Sequence, residues 1–182
     1  MKQFIIIDCQ HDFIDGSLAC HHANEAVDNI VSFLNEHPAM EVMYSLDWHQ
    51  PTNKSFKVNG GIWPVHCVQN ELGSELDPRF DHLNERQRPS QDNKYFKGEN
   101  DEVEEYSAYF ARKNTGVMLN EVVDSHVMVA GIASEFCVLE TIRELVASGK
   151  KVTVLKDGLG YVDSEGHSRA LSEYVNLGVT FK

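Results

Sequence analysis

The chain has 182 residues, 42% of them hydrophobic and 24% charged, with a formal net charge of −12. This is ordinary composition for one globular domain with a sizeable core. The acidic balance argues against nucleic acid or an anionic membrane as partner, and no apolar run approaches the ~20 residues of a membrane span. The four cysteines, Cys9, Cys20, Cys67 and Cys137, share no zinc-finger spacing. With no export signal at the N-terminus, they are expected to be free thiols in the cytoplasm.

Strand and helix patterns alternate along the chain. Residues 4–8 read as a fully buried strand and residues 22–36 as a helix whose apolar face is Ala23, Ala26, Val27, Ile30, Val31 and Leu34. Residues 41–47 read as a second strand. A long irregular stretch from Trp48 to Gly73 carries Pro51, Gly60, Gly61 and Pro64, and a loop of that length in a compact domain points to function. A short acidic helix is expected over 74–83, a strand over 94–97, and mostly loop over 98–114. A helix over 115–123 and a strand over 126–132 follow. The remaining elements are a helix starting near Cys137, a strand over 151–155, a helix over 164–176 and a last strand over 179–181. This alternation predicts one domain over residues 1–182. Its fold is a three-layer α/β/α sandwich around a mostly parallel, roughly six-stranded sheet, with ligands at the carboxyl ends of the strands.

Polar groups fall at those ends. Cys137 follows an apolar run that stops at Gly131. It opens a helix whose buried stripe is Val138, Leu139, Ile142, Leu145 and Val146. On that periodicity Cys137 lies off the packing face with Thr141, Glu144 and Ser148, and the helix start is expected to stabilise its thiolate. Asp8 ends the first strand. By itself it reads as a turn cap; beside a nucleophilic thiol it reads as the proton acceptor, with a carboxyl raised by its apolar surroundings. Asp47 and His49, two apart in an extended segment, point the same way, and His66 from the following loop can complete an open metal site. A surface Asp-His pair is the bland alternative. Cys67 is expected to be buried. Lys97 reads as a surface lysine in isolation, and as a cation for thiolate, carboxylate and oxyanion if the strand ends converge.

The ordered set Ile5-Ile6-Ile7-Asp8-Cys9-Gln10, Ser45-Leu46-Asp47-Trp48-His49, Trp63-Pro64-Val65-His66-Cys67, Phe96-Lys97-Gly98, Tyr106-Ser107-Ala108 and Gly131-Ile132-Ala133-Ser134-Glu135-Phe136-Cys137 resembles the nicotinamidases of the isochorismatase-like hydrolase superfamily. The resemblance implies a catalytic triad of Cys137, Asp8 and Lys97. It also implies one divalent metal ion (zinc, manganese or iron) on Asp47, His49 and His66. The substrate ring would be flanked by Phe13, Trp63 and Tyr106. A cis peptide between Ile132 and Ala133 would turn the Ala133 and Cys137 N–H groups towards an oxyanion. The implied reaction is hydrolysis of nicotinamide to nicotinic acid and ammonia through a thioester, in pyridine-nucleotide salvage, with pyrazinamide as surrogate. The implied partner is a small carboxamide; homo-oligomerisation is left open.

Two departures stand out. Asn53 occupies the place of a third metal histidine in many relatives, and an amide oxygen is a weaker, harder ligand. Ala133-Ser134-Glu135 replaces the common Ala-Thr-Asp, with Ser134 expected to cap the helix. Two rival readings remain: another hydrolase of the superfamily, of carbamoyl-amine amidase or isochorismatase type, and a non-catalytic binding domain on the same fold. The pair His21-His22 and the residues His11, Asp12, His82, His126 and His167 read as structural or exposed. The acidic run 99–105 reads as a solvated face that can form part of a lid.

Overall fold

Phe4, Ile5, Ile6 and Ile7 are fully buried, and their position explains why. In the computed structural model, which describes residues 2–182, they form strand β1 (Gln3–Ile7) inside a six-stranded sheet. The sheet order is β3 (Lys94–Lys97), β2 (Glu41–Asp47), β1, β4 (His126–Gly131), β5 (Lys151–Leu159) and β6 (Thr180–Phe181). Every pairing is parallel. Strands of such a sheet are covered on both faces, so near-continuous apolar runs are what the architecture requires.

Alternation along β1 splits the core in two. Phe4 and Ile6 join Val42, Tyr44, Met128 and Ala130 on one face, under helix α2 (Ala23–Glu36) through Val27, Ile30 and Leu34. Ile5 and Ile7 join Met43, Val127, Val129 and Val154 on the other. That face lies under α4 (Cys137–Ala147) and α5 (Ser164–Asn176) through Val138, Ile142, Leu145, Ala170 and Tyr174. Truncating one of these isoleucines to alanine is expected to cost about 2–5 kcal/mol. Strand order reverses between β1 and β4, so the crossovers leave to opposite faces and a crevice opens at the carboxyl ends of these two strands. Asp8 and the Cys137 loop flank that crevice.

The structure corrects three element boundaries. In place of one helix over 74–83, a 3-10 turn at Leu72–Ser74 ends where that stretch begins and a second, Pro78–His82, lies within it; Asp77 and Pro78 restart the chain there. The helix expected over 115–123 shrinks to α3 (Leu119–Val122). Gly116 adopts a positive φ of 89° in a tight reversal that pairs Arg112 with Met118. Strand β5 runs past Leu155 to Leu159, because the register shifts between Val129 and Gly131 and Leu159 still pairs with Gly131. The irregular stretch after β2 contains only 3-10 turns and isolated bridges, and it carries Trp63 and His66 back over the crevice.

Candidate active site

The ends of four adjacent strands deliver Lys97, Asp47, Asp8 and the Cys137 loop to one point. Lys97, nearly fully buried, sits at the centre. Its Nζ lies 2.9 Å from Asp8 Oδ2 and 3.5 Å from Cys137 Sγ, and it contacts Asp47 Oδ1. A carboxylate oxygen of Asp8, one of Asp47 and Cys137 Sγ all lie within 4.8 Å of one another. Asp8 itself has a left-handed backbone (φ 47°), a conformation that costs energy in a non-glycine residue and concentrates at functional sites. Its Oδ1 accepts the Ser45 hydroxyl at 2.6 Å, while Oδ2 is buried and accepts no well-aligned hydrogen bond. That oxygen is therefore available to take a proton.

Burial pushes the Asp8 carboxyl above its ordinary range, opposed by Lys97 and reinforced by Asp47. Burial also pushes the Cys137 thiol well up; Lys97 opposes it, and the charges of Asp8 and Asp47 add to the rise. The helix start thus does not by itself hold a thiolate: the thiol keeps its proton until a neighbour takes it. Burial works against the Lys97 charge too, but Asp47, Asp8 and Cys137 together hold it well above an ordinary lysine, so it stays an ammonium.

Cys137 is not off the core. It belongs to the cluster on the α4 face together with Ala108, and Thr141 is fully buried beside it, because the 3-10 turn Ala108–Phe110 packs over that side of the helix. Thr141 Oγ1 accepts the Ala108 N–H at 2.9 Å and donates to the Cys137 carbonyl at 2.7 Å. The Ile132–Ala133 peptide is cis. The Ala133 carbonyl accepts the N–H groups of Phe136 and Val138, while those of Ala133 and Cys137 have no acceptor among the described residues. Two free donors beside a thiol suit a developing oxyanion. Ser134 does not cap α4, whose N-cap is Phe136 without a side-chain bond. Its hydroxyl instead bonds Glu135 and, at 2.7 Å, His167 Nδ1, and its carbonyl accepts the Tyr174 hydroxyl. Glu135 accepts the N–H groups of Val162 and Asp163. These bonds tie the cysteine loop to α5 and to the end of β5.

Next to the triad lies a donor set that fits a divalent metal. Asp47, His49 and His66 are buried, with ligand atoms within 4.8 Å of one another. His49 Nδ1 donates to the Gly98 carbonyl and His66 Nδ1 to the Pro64 carbonyl, each at 2.8 Å. Both Nε2 lone pairs therefore face Asp47 Oδ2, at 3.5 and 4.0 Å, the tautomer and outer bonding that metal-binding histidines need. Although burial would raise it, Asp47 is held far below the ordinary carboxyl range by Lys97 and the two imidazoles. Burial lowers His66, whereas Asp47 overrides burial and raises His49. Gly98 has a positive φ of 73°, and a Cβ there would lie 2.4 Å from His49 Cε1, so only glycine lets the ring sit in place. Asn53 lies behind the His49 ring: its Nδ2 is 3.3 Å from Nδ1 and its Oδ1 accepts the Ser55 N–H. It faces away from the donor side, so the structure does not bring it into the ligand set.

Phe13, Trp63, Tyr106 and Phe136 line the cavity beside Cys137. Trp63 and Phe136 meet edge to face at 5.1 Å, and Trp63 Nε1 donates to the Tyr106 hydroxyl at 3.0 Å. Such walls suit a flat heteroaromatic ring. A larger outer depression, lined by Phe110, Arg112 and Glu140, has neither the thiol nor the imidazoles. The chemistry belongs to the smaller cavity.

Sequence reasoning missed several contributors. Ser45 pairs with Ile7 across the sheet, which sets it beside Asp8; a lone hydroxyl inside an apolar strand was its only signal. Gln10 bonds both the N–H and the carbonyl of Asp47 at 2.8 Å. Phe136, quoted above only as part of the cysteine-loop motif, forms a cavity wall against Trp63. Glu104 and Glu105, read as a solvated face able to form part of a lid, line the cavity. Asp12 has the structural role expected of it: it accepts the Cys67 N–H at 2.7 Å and so steadies the segment that carries His66.

The isochorismatase domain profile matches residues 2–181. The Escherichia coli K12 nicotinamidase is 29% identical over 180 residues, covering 86% of this chain and 82% of that protein. The pyrazinamidase of Pyrococcus horikoshii, solved in complex with zinc, superposes with a TM-score of 0.83 at 26% identity over 99% of this chain and 97% of its own. PnC1 from L. infantum, solved in complex with nicotinate, gives 0.84 at 29% identity over 99% and 91%. The profile spans almost the entire length, and the chain belongs to the isochorismatase domain family.

Proposed function

We propose that this chain, as one domain over residues 1–182, hydrolyses nicotinamide to nicotinic acid and ammonia, with pyrazinamide as a surrogate substrate. One observation carries the reading: a buried thiol, carboxylate and ammonium, Cys137, Asp8 and Lys97, stand beside the Asp47, His49 and His66 donor set. Its support from relatives is the nicotinamidase activity named for the E. coli protein, and the zinc and nicotinate held by the two solved structures. The Asp47, His49 and His66 set favours this reading over the carbamoyl-amine amidase and isochorismatase alternatives, and the buried triad favours it over a non-catalytic binding domain.

In this reading Asp8 Oδ2 takes the thiol proton as Cys137 Sγ attacks the carboxamide carbon. The Ala133 and Cys137 N–H groups hold the oxyanion, and Lys97 offsets the charge that passes between sulfur and carboxylate. Asp8 returns the proton to the departing nitrogen; the C–N bond breaks, ammonia leaves, and a thioester remains. Asp8 then takes a proton from water, whose oxygen bonds the acyl carbon while the C–S bond breaks. The proton returns to Cys137, and the carboxylic acid loses its own proton to water and departs as the carboxylate. Asp47, His49 and His66 would hold one divalent ion, zinc by preference for two imidazoles. Bound there, that ion supplies a Lewis acid for the ring nitrogen and for water. Phe13, Trp63 and Tyr106 flank the ring. The product is a precursor for pyridine-nucleotide salvage in the cytoplasm.

The test is ammonia release from nicotinamide by the purified protein. Activity in the wild type and none in Cys137→Ala is the expected result. Wild-type turnover in that variant would overturn the mechanism.

A further inference from the structure

The acidic side chains that face the catalytic cavity each have a polar partner, with one exception. Asp8 and Asp47 share Lys97, and Asp47 also faces two imidazoles. On the segment that closes the cavity, Glu102 pairs with Lys54, and Glu105 accepts the Gly98 N–H at 2.7 Å. Glu104 lies between them, lines the cavity together with Asp47, His49 and Cys137, and makes no hydrogen bond or ion pair among the described residues. It is exposed on its outer side, so it stands at the mouth. Burial of its inner side and the charge of Asp47 push its carboxyl upward, a sign that it shares the field of the catalytic centre. Arg112 faces the outer depression and forms no ion pair with it.

The reaction proposed above converts a neutral carboxamide into an anion inside this cavity. A fixed negative charge at the mouth leaves the entering amide unaffected and repels the departing carboxylate. We propose that Glu104 is a specificity-determining carboxylate that selects neutral carboxamides over small carboxylate anions, both as substrates and as retained product. The inference rests on the nicotinamidase reading. Like-charge repulsion across ~7 Å of partly solvated cavity mouth, at an effective dielectric of about 40–80, corresponds to a three- to eightfold change in affinity.

The experiment compares inhibition of nicotinamide hydrolysis by nicotinate with inhibition by 3-nitropyridine, its neutral isostere, at mildly alkaline pH, where Glu104 is ionised. Glu104→Gln is expected to tighten nicotinate inhibition about three- to eightfold, while 3-nitropyridine inhibition moves less than about twofold. Glu102→Gln removes the same charge from the same segment outside the cavity and is expected to leave the ratio of the two inhibition constants unchanged. An unmoved ratio in Glu104→Gln, or an equal change in Glu102→Gln, overturns the inference while the amidase reading stands. A wild-type protein that releases no ammonia from nicotinamide removes the amidase reading, and this inference with it.

Discussion

Ser45→Ala isolates how the fold prepares Asp8. The Ser45 hydroxyl, fully buried, donates to Asp8 Oδ1 at 2.6 Å, and Oδ1 accepts no other hydrogen bond among the described residues. A hydrogen bond to a charged group contributes about 1.5–3 kcal/mol. Since about 1.4 kcal/mol is a factor of ten in proton affinity, the variant's Asp8 should hold its proton at least about tenfold more tightly. Asp8 is the proposed base, so the acid limb of the kcat/KM profile should move up by about one to two pH units. The sign for stability follows from linkage. The folded carboxyl already lies above its unfolded value through burial, so folding favours the protonated form and stability falls as pH rises through the folded pKa. Losing Ser45 raises that pKa further. The variant's deficit should be full above its own folded pKa and should close as the pH falls and Asp8 becomes protonated in both proteins. Urea denaturation across this range, alongside the kinetic profile, checks both. A pH-independent stability deficit with an unmoved acid limb would refute the reasoning, since it would mean that Ser45 only fills space.

Two further perturbations address the cation and the metal set. Lys97→Met leaves Asp8 and Asp47 facing each other without a counter-ion; loss of activity is expected, with about 3–5 kcal/mol of destabilisation at neutral pH, partly recovered at acid pH and measurable by urea denaturation at both. Gly98→Ala drives a Cβ into the His49 ring at a backbone φ that alanine avoids. Displacing that ring and its Nδ1 bond should weaken metal affinity about 10–100-fold in a chelator competition, and unchanged affinity would show that His49 is not a ligand.

The ends of β1, β2 and β3 were legible because apolar residues there give way to a charged one: Asp8 after Ile7, Asp47 after Leu46, Lys97 after Phe96. Convergence then follows from parallel pairing alone. The Cys137 face was misread for a definite reason. Helical periodicity identifies the side that packs on the sheet, but it is silent on what covers the other side. The cover here is the turn Ala108–Phe110, which belongs to the connection after β3 and meets Thr141 through a single backbone donor. Asn53 was misplaced by the same kind of limit. Its spacing from Asp47 matches a ligand histidine, but the intervening turn sets its side chain against the outer nitrogen of His49. Spacing reports reach, whereas the side of the ring that a residue meets depends on the loop's path.

Lys97 also decides where a metal can go. Two buried donor groups share Asp47: one with His49 and His66, the other with Asp8 and Cys137. By composition the second could hold a soft cation, since it offers a thiol and two carboxylates. The Lys97 ammonium already contacts all three of its members, and burial among anions keeps it charged. A divalent ion there would face a fixed positive charge at contact distance. Only the first group remains open to a metal, and the thiol stays free to react. Asp47 serves both halves, with Oδ1 on Lys97 and Oδ2 towards the imidazoles. Gln10 fixes its backbone from both sides, so the distance between ring anchor and nucleophile is set by one rigid strand end rather than by two mobile loops.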